Sequence, residues 1–223
     1  MEQKATRDNI IMEILKFVEK KSWVPRSKVI ECRSIFELLV LTIISQITNW
    51  RNVRTVFNRL KQLGGISPEV IKEAELKAIE EALKPAGLYR VKAKRIKELA
   101  VIFHKQDLER KLREINDMVK AREVLLSLPG IGFKTADIIL VFCLGFDILP
   151  IDTHIRRIAI RTGIANSKDS YDEIRLKLES HIPLGLRGWA HLALIEFGRR
   201  ICGSRKPRCS SCPVKSICPS SKV

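Results

Sequence analysis

The sequence predicts an all-α protein, and three observations carry that prediction. Apolar residues recur at spacings of three and four along most of the chain, the period of a helix with one buried face. Long runs of alternating β-branched residues are absent, and aromatic residues make up only 6% of the 223 positions, so little in the composition favours a sheet. Gly and Pro fall between the periodic segments rather than inside them, as helix boundaries require.

Taken in order, Ile10, Ile11, Ile14, Leu15 and Val18 lie on one stripe and predict a helix from Asn9 to Lys20. Phe36 to Gln46 is nearly all apolar, as expected of a central helix buried on most sides. An amphipathic helix from Arg51 to Leu63 is stopped by Gly64-Gly65, and Pro68 opens the next. Glu75 to Leu83 is followed by a tight turn at Gly87-Leu88-Tyr89 and a basic helix from Lys92 to His104. Leu108 to Met118 is again amphipathic. Ala121 to Leu128 and Lys134 to Phe142 flank Pro129-Gly130-Ile131-Gly132. Asp152 starts a helix over Thr153 to Arg161, and Tyr171 to Ser180 and Trp189 to Gly198 complete a set of about ten or more short helices. No internal repeat or low-complexity stretch interrupts them.

Hydrophobic residues are 45% of the chain, which is ample for a buried core. No apolar run approaches the ~18 residues of a membrane span, and the longest, Ile138 to Phe146, is broken by Gly145. Met1-Glu2-Gln3-Lys4 lacks the shape of a signal peptide. Six cysteines, four of them clustered, suit a reducing compartment better than a secreted disulfide framework. Few Gln and Asn beside 30% charged residues hint at a thermophile.

The net charge of +16 is clumped rather than dispersed. Arg90, Lys92, Lys94, Arg95 and Lys97 fall in one acid-free stretch, and the segment from Arg199 to Val223 carries seven Lys or Arg and no Asp or Glu. A solvated surface would explain scattered charge; clumped charge favours a polyanion, and nucleic acid is the commonest.

Four cysteines stand as Cys202-x6-Cys209-x2-Cys212-x5-Cys218. Such thiolates can pair as disulfides, close a zinc tetrahedron, or hold a [4Fe-4S] cluster. A zinc ribbon normally brings two C-x2-C knuckles and this segment has one, so the cluster is the favoured occupant.

Leu128-Pro129-Gly130-Ile131-Gly132-Phe133-Lys134-Thr135-Ala136 predicts a hairpin of two short helices. Its glycines allow positive φ and close backbone approach. Gly130 and Gly132 would present amide N–H groups at the start of the second helix, where an anion such as a DNA phosphate binds. Leu128 and Ile131 would pack beneath the turn, with Ile131 also expected beside Gly130 and Gly132 among the DNA-binding residues. Lys134 falls in the first turn of that helix, where positive partial charge disfavours the ammonium form and helps make a nucleophile. The alternative is an exposed helix lysine paired with Asp137. Asp152, in Leu149-Pro150-Ile151-Asp152-Thr153-His154, is an N-cap by position. A capping carboxylate is also held ionised and rigid, so it can stabilise developing positive charge on a sugar.

These three motifs, in this order and along nearly the whole chain, resemble the endonuclease III-like branch of the helix-hairpin-helix DNA glycosylases. Lys134 matches that family's catalytic lysine in LPGxGxKTA, Asp152 the aspartate of its VDTH motif, and the four cysteines its cluster loop. The resemblance implies a two-lobed fold with a C-terminal [4Fe-4S] loop. A six-helix lobe would span 27–146, with the helix-hairpin-helix at about 121–142. The second lobe would combine 1–26 with 147–223 and hold the cluster at 202–218. It implies a base-excision-repair glycosylase with abasic-site lyase activity, monomeric and in a prokaryotic cytoplasm. The partner is duplex DNA containing damaged bases or abasic sites. Gln46 resembles the residue that fills the gap left by a flipped nucleotide, and Leu88 the wedge into the opposite strand. Arg205, Lys206 and Arg208 would meet the backbone beside the cluster.

Thr48 to Val53 and Lys84 to Tyr89 depart toward the alkylpurine-releasing branch, and Phe133 stands where a basic residue is common. Oxidised pyrimidines are the expected substrate. Alkylpurine or mismatch-specific release, or DNA binding without catalysis, are the alternatives.

Overall fold

The computed structural model describes residues 9–26, 32–46 and 48–221. They form twelve α-helices and no strand among the described residues, and no described helix is long and apolar enough to cross a membrane. The chain divides into two compact units, Glu31–Leu144, and Met1–Ile30 with Gly145–Val223.

The unit Glu31–Leu144 is built around α2 (Ile35–Ser45), whose Ile35, Phe36, Leu38, Leu39, Val40, Ile43 and Ile44 are all buried. Ser34 caps it by accepting from the Glu37 amide, and the Glu109 carboxylate accepts from the Ile35 and Phe36 amides at 2.9 and 3.2 Å. A helix apolar on most sides needs neighbours on most sides. Those neighbours are α3 (Trp50–Lys61), α6 (Tyr89–Gln106) and α9 (Phe133–Phe142). Around them lie α4 (Pro68–Glu73), α5 (Leu76–Leu83), a 3₁₀ turn at Lys84–Ala86, α7 (Leu108–Glu114) and α8 (Met118–Leu126). Among its described residues this unit holds eight helices, the short α4 and α7 included.

The largest boundary shifts from the sequence reading have local reasons. The helix expected from Lys92 starts at Tyr89, because Leu88 takes a left-handed conformation (φ 49°, ψ 29°) and serves as its N-cap. The helix expected to reach Met118 ends at Glu114, because Asp117 turns out to cap α8, accepting from the Val119 and Lys120 amides. The expected start of α8 at Ala121 moves back accordingly.

Cys32 and Cys143 are joined by a disulfide across a sequence separation of 111. The six cysteines are therefore four free thiols and one bridge.

The other unit packs α1 (Ile10–Lys20) against α12 (Arg187–Arg200), with α10 (Thr153–Arg161) and α11 (Tyr171–Glu179) completing its core. Ile10, Ile14, Leu15, Ile155, Leu194 and Phe197 are buried together. The N-terminal helix supplies its whole apolar stripe to this core, which is why its period is so clean in the sequence. α11 starts with a capping box formed by Ser170 and Glu173.

Candidate functional site

The joint between α8 and α9 is the hairpin read from the sequence. Gly130 has φ 72°, and a Cβ built there would fall 1.9 Å from Arg95 Nε, so the Arg95 side chain lies directly on the turn. Leu128 and Ile131 are buried beneath it, and the Ile131 amide donates to the Leu128 carbonyl at 3.2 Å. Ile131 thus braces the hairpin, with its own N–H spent inside the turn.

Gly132 does not adopt positive φ, contrary to expectation; it is extended at φ −103° and stands as the N-cap of α9. Its value is openness: a Cβ there would meet nothing within 4 Å. No side chain caps α9 and no acid lies in its first turn, which leaves the amide end of the helix suited to an anion. Lys134 is the second residue of α9 and half-buried. Its i+3 neighbour Asp137 is fully buried and takes the Arg122 guanidinium at 2.8 and 3.2 Å. Arg122 also lies over the Phe133 ring, 5.1 Å from its centroid, so one guanidinium ties the start of α9 to Asp137.

In the other unit, Asp152 is the N-cap of α10. Its Oδ1 accepts from the His154 and Ile155 amides, both at 2.8 Å. One oxygen does the capping, and Oδ2 has no hydrogen bond within the described residues. The segment leading to it is held by three side chains that the sequence reading missed. Glu179 accepts from the Leu149 amide (2.8 Å), Tyr171 Oη accepts from the Ile151 amide (2.9 Å), and buried His191 donates through Nδ1 to the Pro150 carbonyl (2.9 Å). A Glu, a Tyr and a His far along the chain carry no local signature of such a role.

Cys202, Cys209, Cys212 and Cys218 are all free, half-buried, and line one cavity with Ile14 and Arg161. Burial pushes the Cys212 and Cys218 thiols up, and repulsion from the other sulfurs adds to it. Among the described residues no three His, Cys, Asp or Glu side chains converge as one metal ion would need. Two arginines of α10 fasten the start of this loop. Arg157 donates to the Cys202 carbonyl (2.9 Å), and Arg161 to the Gly203 and Ser204 carbonyls (2.7 and 2.8 Å), with Nη1 3.4 Å from Cys202 Sγ. Arg205, Lys206 and Arg208 are exposed on the loop between Cys202 and Cys209.

Gln46 leaves α2 as its C-cap (ψ 125°), and Leu88 stands 60% exposed on left-handed backbone. Left-handed φ is unusual for a leucine and costs energy that the surroundings must supply. The basic stretch needs correction at one member. Lys92 is only 2% exposed and belongs to the interior, leaving exposed Arg90 and Lys94 with half-buried Arg95 and Lys97. Lys134, Gln46 and Leu88 belong to the unit Glu31–Leu144, whereas Asp152 and the four cysteines belong to the other.

Two helices meeting at a Pro-Gly-x-Gly turn, with no strand among the described residues, define a helix-hairpin-helix protein. The family model described as HhH-GPD superfamily base excision DNA repair protein matches residues 40–184. Endonuclease III of Sulfolobus acidocaldarius is 36% identical over 191 residues, covering 83% of this chain and 82% of that one. Endonuclease III of Bacillus subtilis is 34% identical over 187 residues, covering 82% and 80%. A solved structure of a trapped endonuclease III–DNA covalent intermediate, an estranged-adenine complex, matches with a TM-score of 0.81 at 28% identity, covering 98% of both chains. The chain belongs to the HhH-GPD superfamily of base excision DNA repair proteins, as an endonuclease III-like DNA glycosylase.

Proposed function

We propose that the chain is a bifunctional glycosylase and abasic-site lyase that removes damaged bases, oxidised pyrimidines foremost, from duplex DNA. The observation that carries this reading is Lys134, set in the acid-free first turn of the helix that opens from the hairpin. The uncapped amides at that end of the helix would hold a DNA phosphate and so bring the Lys134 amine to the backbone of the lesion.

The hairpin amides, Arg95 and the exposed basic residues grip the backbone, and the damaged nucleotide turns out of the stack. Lys134 Nζ attacks the sugar C1′; the glycosidic bond breaks and the base leaves with a proton. Asp152, one oxygen held by the α10 amides, offers the other to the cationic sugar. The ring C–O bond then opens to a Schiff base. Loss of a C2′ proton expels the 3′ phosphate, and water releases Lys134.

Four free thiols that line one cavity, at the spacing Cys202-x6-Cys209-x2-Cys212-x5-Cys218, are a donor set that suits a [4Fe-4S] cluster. Bound by Cys202, Cys209, Cys212 and Cys218, a cluster would supply a rigid crosslink for the loop that displays Arg205, Lys206 and Arg208. Arg157 and Arg161 already hold that loop to α10.

Leaving-group chemistry favours pyrimidines. A cationic alkylated purine departs readily, whereas neutral thymine glycol gains more from an amine nucleophile and an acid. The second reading, alkylpurine release, draws on one contact: the two departing segments touch, with Asn52 Nδ2 donating to the Pro85 carbonyl at 2.7 Å. The test compares thymine glycol, 3-methyladenine and abasic duplexes under single turnover, with borohydride trapping, in wild type and Lys134→Ala. Thymine glycol and abasic duplexes should react and trap, and Lys134→Ala should abolish both. Rapid 3-methyladenine release that survives the substitution, with thymine glycol untouched, would overturn this choice.

A further inference from the structure

Lys92 is a buried ammonium, and among the described residues its Nζ is held by backbone carbonyls and by no carboxylate. Its Nζ donates to the Gln46 carbonyl at 2.7 Å, the Ala86 carbonyl at 2.9 Å and the Ile44 carbonyl at 3.1 Å. Two of these are at the C-terminal end of α2 and the third closes the 3₁₀ turn Lys84–Ala86. The Lys92 backbone amide also donates to the Leu88 carbonyl at 3.0 Å. One residue therefore binds the Gln46 turn on one side and brackets the Leu88 turn on the other. Asn52 makes a second strut, from α3 to the Pro85 carbonyl.

The arrangement is costly. Burial pushes the Lys92 ammonium below the usual lysine range, and a cation in the first turn of α6 opposes the helix dipole. Three carbonyls satisfy its three N–H donors, yet an apolar side chain would fill the space without the desolvation cost. What an apolar side chain could not do is orient two turns at once. The orphan carbonyls of a helix end and of a tight turn point at one centre only when a multivalent donor sits there.

We propose that Lys92 is a positioning residue that locks the Gln46 and Leu88 turns into one rigid clamp, so that both side chains enter the duplex together. This rests on the reading that Gln46 and Leu88 fill the two strands at the lesion. The left-handed Leu88 backbone is the strained part of that clamp, and Lys92 holds it through its own amide and through Ala86.

The test uses a duplex with a tetrahydrofuran abasic analogue flanked by 2-aminopurine, whose fluorescence rises when its neighbours unstack. Wild type at saturation should raise the signal; Lys92→Met should lose most of it and slow duplex cleavage about tenfold or more. Schiff-base trapping on an abasic site in a single strand, which needs no insertion, should change by less than about twofold. Lys92→Gln, which keeps two donors, should be intermediate, and Asn52→Ala should shift the duplex response in the same direction. Equal losses on duplex and single strand would mean a general structural role and overturn the proposal, as would an unchanged 2-aminopurine response in Lys92→Met. A wild type that neither unstacks the probe nor processes any lesion would instead overturn the functional reading, and the clamp with it.

Discussion

Glu179 accepts a hydrogen bond from the Leu149 amide at 2.8 Å, three residues before Asp152. The same carboxylate takes Arg175 at 3.0 Å, and both partners of that pair are nearly buried. With Tyr171 and His191 it fixes the approach of the chain to the carboxylate that caps α10. Removing it by Glu179→Ala leaves the buried Leu149 amide unpartnered and takes from Arg175 one of its two carboxylates, Asp172 remaining at 3.1 Å, so stability should fall by about 1–3 kcal/mol. Glu179→Gln keeps an acceptor for the amide and should cost less. Thermal melts of the two variants, read beside single-turnover rates, check this. Equal stability in both would remove the role assigned to the carboxylate.

Asp152→Asn separates capping from catalysis. Asparagine caps a helix as well as aspartate, so stability should stay within about 0.5 kcal/mol of wild type. The negative charge proposed to face the sugar is lost, and the single-turnover rate should drop by roughly 10²–10⁴ while DNA binding persists. A variant that melts early and is slow for that reason would show the residue to be a cap alone.

Protein purified without oxygen should be brown, with about four iron and four sulfide per chain. Stoichiometric zinc without sulfide would contradict the cluster. Replacing Cys32 and Cys143 by Ser should leave iron unchanged, since they lie in the unit that does not hold the other four. The same change opens a loop of more than a hundred residues and should lower stability by about 2–5 kcal/mol.

Binding should weaken steeply with salt, as condensed counterions return to the duplex. Arg205 and Lys206 are exposed on the loop that Arg161 fastens, so charge reversal at both should flatten the slope. Each lost phosphate contact is worth roughly 0.9 in the logarithmic slope. Lesion preference should not change. An unchanged slope would move the phosphate track elsewhere on the molecule.

Much of the site was legible because its chemistry is local in the chain. The hairpin needs a glycine with positive φ at Gly130 and an open N-cap at Gly132, and both requirements are written within three residues. Asp152 caps the helix it immediately precedes, and the four cysteines singled out by their spacing are free thiols that line one cavity. The stripe of Ile10, Ile14 and Val18 identified α1 because one-sided burial leaves a period in the sequence.

Lys92 was read as part of a basic surface because charge in a helix of basic residues is ordinarily solvated. Only the tertiary structure decided otherwise, by bringing the end of α2 and the turn before Leu88 to its amine. Glu179, Tyr171 and His191 were silent for the same reason, since each serves the backbone of a segment between 20 and 41 residues away. Cys32 and Cys143 carry no spacing signal at a separation of 111 residues. The sequence by itself determined the helices, the hairpin, the capping carboxylate and the thiol set, because each depends on neighbours within a few residues. Which cations are buried, which turns they clamp and which cysteines pair depended on long-range contacts, whose partners are chosen by the packing of apolar faces and leave no period in the chain.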